Sequence, residues 1–220
     1  MAITTVTAPA ADRRLCSIAD LKAELGIDAN DTLFDVWLST ECLSASDRVA
    51  EACGVAADDD GEAPATFVQE IAAITFGAAD IPNGNVLELP WRFPARVTSV
   101  TVAGQMLAPA LYRPQPKAGL ISRVDACGRP ACWARAETSV AVVSGWEPGK
   151  VPTVLQDAVK RLVRLRWEAK DRDQLVKAEE TDGVGRTEYW VGGTSANGSA
   201  LPADVLASLQ AAGYVNVVIA

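Results

Sequence analysis

A hydrophobic period that changes and then changes back constrains this chain more than any other feature. From Asp31 to Gly54, Phe34, Trp37, Leu38, Ala45, Val49 and Cys53 recur at three- and four-residue steps, tracing an amphipathic helix of about six turns. After Glu62 the texture becomes short β-like runs broken by Pro and Gly, and the run Gly145-Trp146-Glu147-Pro148-Gly149-Lys150-Val151-Pro152 then opens a long helix from Val154 to Lys170. A β segment is thereby set between helices that must pack on one another. The expected fold is α+β: a mainly helical core of two N-terminal helices and one long helix (15–56 and 151–175), an inserted small antiparallel β module (62–150) and an extended C-terminal arm with a short helix (176–220).

Smaller signals fill in this outline. Residues 1–14 are rich in Thr, Ala and Pro without an apolar period and read as a flexible tail. Ser17 can cap a first helix that shows Ile18, Leu21 and Leu25 on one face and stops at Gly26, with Asp20 adding negative charge near the positive helix end. On the second helix, Asp35, Ser39, Ser46, Asp47 and Glu51 form the expected exposed side. Thr66–Ile71 and Val86–Leu89 read as strands. Val97–Val102 alternates branched apolar with hydroxyl residues, the pattern of a strand covered on one face, and Ala103-Gly104 supplies a turn. Further short strands are expected at Leu111–Arg113, Gly119–Val124, Ala131–Trp133 and Ser139–Ser144, giving a small sandwich or open barrel.

The long helix has Pro152 at its first position and an apolar stripe of Val154, Leu155, Ala158, Val159, Leu162, Val163 and Leu165. It is also the most basic segment, with Lys160, Arg161, Arg164, Arg166, Lys170 and Arg172. These cations either pair with Asp157, Glu168, Asp171, Asp173 or the acidic first helices, or contact a phosphate or a partner. Beyond them, Tyr189, Trp190 and Val191 sit in an extended arm, followed by Leu201, Val205, Leu206, Leu209 and Tyr214 in and after the short helix that Pro202 opens. Exposed aromatics lower solubility unless covered, so the arm either folds back on its own subunit or is buried by a neighbour. These eight residues are the candidate partner interface, and Lys160, Arg161 and Arg164 the candidate phosphate or subunit contacts.

Charge and composition narrow the functional classes. The 220 residues carry a net charge of −8, so the average surface field repels nucleic-acid backbones and anionic lipid. No apolar run approaches the roughly 20 residues that cross a bilayer, and Met1–Ala11 lacks a basic start followed by an apolar core, so neither membrane insertion nor secretion is expected. Five cysteines, an odd count, fit a reducing compartment; Cys16, Cys42 and Cys53 stand at helical positions beside small apolar residues. Cys127 and Cys132 flank a Gly-Arg-Pro-Ala turn, and with no histidine in the chain a zinc ion there would lack ligands. The densest acidic run, Asp58-Asp59-Asp60-Gly61-Glu62, reads as a solvated loop.

Catalysis finds no foothold. Nucleophilic schemes lack their commonest base, histidine. Gly183-Val184-Gly185 and Gly192-Gly193 match neither dinucleotide nor P-loop spacing and read as flexible joints. Paired carboxylates at Asp58–Asp60 and Glu179-Glu180 lie in loop-like sequence without the apolar burial that tunes an acid. No enzymatic activity, cofactor or metal is expected.

In order along the chain, Ile18-Ala19-Asp20-Leu21-Lys22, the helix ending Ala52-Cys53-Gly54, Leu89-Pro90-Trp91-Arg92-Phe93-Pro94-Ala95-Arg96-Val97 through Gly104, Leu111-Tyr112-Arg113, Gly119-Leu120-Ile121, Val140–Trp146, Val151-Pro152 and the helix ending Arg166-Trp167-Glu168 resemble the head–tail connector (adaptor, head completion) proteins of tailed bacteriophages and phage-like gene transfer particles. The resemblance spans roughly 15–173. It implies a homo-oligomeric ring, usually of twelve copies, assembled in the bacterial host cytoplasm, docked under the portal protein at the head–tail junction of the virion and receiving a tail-side stopper or tail terminator protein. In that family the helices form the ring body, the β module projects, the C-terminal arm commonly reaches the portal, and DNA passes without specific binding. This chain departs at its acidic loop, Ala57–Glu62, and its long arm, Gly183–Ser199. The alternative is a DNA-binding or packaging accessory protein using the basic helix 152–172.

Overall fold

A computed structural model describes residues 2–59, 61, 63–90, 94–170, 178–181, 185–188 and 201–215. The chain divides into two compact units, one of residues 1–13 and 54–151, the other of 14–53 and 152–220.

The first unit is built of strands, and it overturns the expectation of a mainly helical core: the strand-built unit takes about half the chain and is no small insert. Five strands pair antiparallel in the order β1-β2-β8-β4-β5, where β1 is Ile3–Ala8, β2 Glu70–Phe76, β4 Ala95–Val102, β5 Gln105–Met106 and β8 Thr138–Ser144. A second antiparallel sheet, in the order β3-β7-β6, joins Val86–Glu88 (β3), Leu120–Arg123 (β7) and Tyr112–Gln115 (β6). One apolar core takes Ala72, Ile74 and Phe76 from β2, Val100 from β4 and Val140 and Val142 from β8, with Leu87, Tyr112 and Ile121 from the second sheet and Trp133 from the loop before β8. The Trp133 indole donates to the Asn85 carbonyl at 3.1 Å, so its one polar atom is satisfied inside that core.

The strands depart from the sequence reading in four places. The supposed tail supplies β1, whose Ile, Thr and Val are strand formers but whose six residues show no apolar alternation to announce a strand. Strand β2 runs over Glu70–Phe76, later than expected, and Ala131–Trp133 forms no strand because Pro130 leaves only an isolated bridge to Val124. In β4, Val97 opposes Val142 while Ser99 opposes Ala141, so Thr98 is an inserted bulge residue. The bulge lets both Val97 and Val100, three residues apart, reach the core, and the Thr98 hydroxyl donates to the Ala141 carbonyl at 3.0 Å.

β1 is an edge strand, and the acidic loop covers its outer side. The Thr4 amide donates to the Asp59 carboxylate and the Val6 amide to Asp58 Oδ1 at 3.2 Å, while the Asp59 amide returns a bond to the Thr4 carbonyl at 2.9 Å. Asp58 is buried and also accepts from the Ala63 amide at 3.3 Å. The loop expected to be merely solvated thus occupies amides that a strand edge would otherwise offer to another chain. At the far end of β8, Gly145 has φ +83°, and a Cβ there would lie 2.5 Å from the Val68 carbonyl oxygen. Only glycine lets the chain pass so close, which brings the Trp146 amide 2.8 Å from the Phe67 carbonyl.

The second unit holds four helices among its described residues: α1 Ile18–Leu25, α2 Asp35–Ala52, α3 Thr153–Ala169 and α4 Ala203–Ala211, with a hairpin of β9 Ala178–Thr181 and β10 Gly185–Glu188. Ser17 caps α1 as a full capping box: the Asp20 amide donates to its hydroxyl at 3.1 Å and the Asp20 carboxylate accepts its amide at 3.3 Å. α2 starts at Asp35 rather than Asp31, because Asp31 Oδ1 accepts the Leu33 amide at 2.9 Å in a turn. Pro152 and Pro202 sit just before their helices rather than at the first helical position. Leu155, Ala158, Val159, Leu162 and Val163 of α3 are buried; Val154 and Leu165 are only partly so.

Candidate interaction surface

α3 packs on α1, α2 and α4, and its cations reach all three. Arg161 lies 3.5 Å from Asp204 of α4. Arg164 binds Glu24 of α1 at 3.2 Å and, one turn along its own helix, Glu168 at 3.0 Å. These two carboxylates, Glu168 first, hold the Arg164 guanidinium charged even beyond its ordinary range. Arg166 binds Glu41 of α2 at 2.7 Å, where the Glu41 side chain is only 17% exposed. Lys160 is partly buried and its charge bears on Asp20, although the Ser17 hydroxyl is the main cause holding that carboxyl below its usual range. Of the two fates open to the basic helix, pairing with the acidic helices therefore accounts for Arg161, Arg164 and Arg166. Most of these pairs are exposed to solvent that screens them, so the pattern fixes helix register more than it stabilises the unit.

The residues expected to meet a partner separate into two groups. Leu201, Val205, Leu206 and Leu209 are buried within the helical unit, where α4 packs on α3, and Tyr214 is partly buried with its amide bonded to the Leu209 carbonyl at 2.9 Å. Burial pushes the Tyr214 phenol up. Within this unit their periodicity serves the packing of α4 on α3. Tyr189, Trp190 and Val191 lie outside the described residues.

A different apolar surface escaped the sequence reading. Leu33 and Val36, at the entry to α2, are 78% and 81% exposed, the least covered large apolar side chains of the helical unit among the described residues. They stand on a firm base: Phe34 and Trp37 both meet the Trp167 ring edge-on, at centroid distances of 4.8 and 5.5 Å, and the Lys170 ammonium lies 4.3 Å from the same ring. Leu33 and Val36 fall outside the helical stripe formed by Phe34, Trp37 and Leu38, and that offset was the available signal. In the strand unit, a groove of about 430 Å³ lined by Phe76, Asp80, Pro82, Val86, Leu87, Glu88 and Leu120 has only two ionisable members, both exposed. Among the described residues no group of three or more His, Cys, Asp or Glu side chains converges as a metal site would require, and no helix is long and apolar enough to cross a membrane.

Solved chains from gene transfer agent particles share this fold. Three of them show the extent of the likeness. One, from the neck of an empty gene transfer agent (GTA) particle computed with C6 symmetry, superposes with a TM-score of 0.57 at 14% identity, covering 99% of this chain and 97% of that one. A second, from the neck of a native particle computed with C12 symmetry, gives 0.51 at 14% identity over 92% and 90%. A third, from the virion of a native gene transfer agent particle, gives 0.55 at 14% identity over 99% and 97%. The resemblance to head–tail connector proteins holds at the level of the fold. No protein-family model matches the chain, and no curated protein matches it in sequence.

Proposed function

We propose that this chain is a structural head–tail adaptor of a phage or gene transfer agent particle: identical copies closing into a ring below the portal, joined on the tail side by a stopper or tail terminator protein, with DNA passing through the ring. One observation carries this reading, the likeness to chains of a gene transfer agent neck and a gene transfer agent virion over nearly the full length of both partners. Neck structures computed with C6 and C12 symmetry fit a ring of twelve copies. A net charge of −8 suits a conduit that must not retain its phosphate cargo. Head-to-tail contacts close into rings, which turns one modest interface into many simultaneous ones. Leu33 and Val36 are the described surface we assign to the neighbouring copy, and Tyr189, Trp190 and Val191 remain assigned to a neighbouring copy or to the portal. The role is one of shape and contact, without catalysis, in the virion.

Electron microscopy of the purified protein and of portal-bearing particles tests the proposal. Rings with a central hole are expected; a protein that stays monomeric at high concentration and does not join such particles overturns it. The ion pairs that engage Arg161, Arg164 and Arg166 weigh against the DNA-binding alternative. Filter binding at low salt separates the two readings, since the adaptor is expected to hold no measurable duplex, whereas affinity with a steep salt dependence that weakens in Lys160→Ala would support the alternative.

A further inference from the structure

Two cysteines of the helical unit meet in its interior. Cys16, just before α1, and Cys42, in the middle of α2, place their sulfurs 3.4 Å apart, although they are 26 residues apart in sequence. Both are buried, at 7% and 0% exposure. The surroundings hold them in register: the Cys42 thiol lies 3.5 Å from the Cys16 carbonyl, the Ser46 hydroxyl donates to the Cys42 carbonyl at 2.7 Å, and the same hydroxyl accepts the Leu15 amide at 3.1 Å. Sequence spacing gave no sign of this pair and drew the eye instead to Cys127 and Cys132, which are exposed.

We propose that Cys16 and Cys42 form a redox-active dithiol that peroxide converts to an intramolecular disulfide, tying the segment before α1 to α2. The sulfurs need close only from 3.4 Å to the ~2 Å of a bond, within the reach of side-chain rotation and small backbone shifts. Cys42 is the attacking sulfur. The hydrogen bond from Cys16 lowers its pKa most, with help from the Cys16 backbone, Ser46 and the Arg14 charge, against the opposing effect of burial. Cys16 keeps its proton, raised first by that same hydrogen bond, then by burial and the Cys42 charge; Lys160 opposes this and Asp20 adds to it. The Cys42 thiolate attacks one peroxide oxygen, the O–O bond breaks, and the departing hydroxide takes a proton to become water, leaving a sulfenic acid. Cys16 sulfur then attacks the Cys42 sulfur, the S–O bond breaks, and hydroxide leaves with the Cys16 proton as a second water. Two thiols lose two electrons and peroxide gains them. In the setting of the proposed function, on which this last point rests, the pair stays reduced in the host cytoplasm and closes once the particle is outside.

The full-length chain is reduced, treated with hydrogen peroxide, denatured, alkylated and digested with trypsin. The expected product is a reducible species joining peptide 15–22 to peptide 23–48, with Cys53 still alkylated, because burial pushes that thiol up to about 12. In Cys16→Ser, Cys42 is expected to stop at the sulfenic acid and be trapped by dimedone. Oxidised protein should melt several degrees above reduced protein, and the gap should vanish in Cys16→Ser. Cys16 and Cys42 both alkylated after Cys127 and Cys132 have reacted, or a melting gap that persists in Cys16→Ser, would overturn the proposal. All of these readouts belong to the single subunit, so they stand whether or not rings form.

Discussion

At the scale of residues, a few positions carry geometry that no substitute reproduces. Gly145→Ala meets two penalties, a left-handed φ and a backbone oxygen 2.5 Å from the new carbon, and is expected to destabilise the strand unit by about 3 kcal/mol or more, read as a lowered urea midpoint. Ser17→Ala removes the acceptor for the Asp20 amide and should lower stability by about 1 kcal/mol. The same cap carries a pH signature. Because the Ser17 hydroxyl and amide hold the folded Asp20 carboxyl below its unfolded value near 4, its contribution is complete above about pH 4 and disappears as pH falls through the lower, folded value. The gap in urea midpoint between wild type and Ser17→Ala should therefore narrow between pH 6 and pH 2 without closing, because the Ser17 hydroxyl still accepts the Asp20 amide in acid. The Ser17 cap was legible in the sequence; the return bond from the Ser17 amide to Asp20, read there only as charge near the helix end, was not. The closeness of Cys16 to Cys42 was not, because contacts across helices leave no local period.

At the scale of elements, legibility follows the strength of the local pattern. The stripe on α3 and the long period of α2 announced themselves. β1 did not, since six residues of Thr, Ile, Val and Ala acquire meaning only beside a partner strand far along the chain. The bulge at Thr98 also escaped, as inward residues three apart break the alternation that marks a strand. α4 showed its apolar periodicity plainly, yet period alone does not say whether the covering surface is internal or foreign; α3 supplies it. The acidic loop belongs here too. Asp58→Ala with Asp59→Ala frees the Thr4 and Val6 amides, so the double variant is expected to aggregate faster than wild type in a thioflavin time course, by strand addition at β1. An unchanged rate would mean the loop backbone alone guards the edge.

At the scale of the whole molecule, the sequence indicated alternation of helix and strand, and it underestimated how much of the chain the sheets take. The candidate contacts were legible only in part: the basic helix stood out by composition, but its pairing with Glu24, Glu41 and Asp204 depends on tertiary packing. Leu33→Glu with Val36→Glu places charge where the neighbouring copy is assigned. The double variant should keep the wild-type melting temperature, since both side chains are already in water, and lose rings in sedimentation and electron microscopy. The path of the backbone has its own consequence. It leaves the strand unit after Arg13, returns at Gly54 and departs again at Val151, so each unit is assembled from two separated stretches. A protease that nicks one of these joints severs neither half from the other, and no trimming from either terminus can release one half intact.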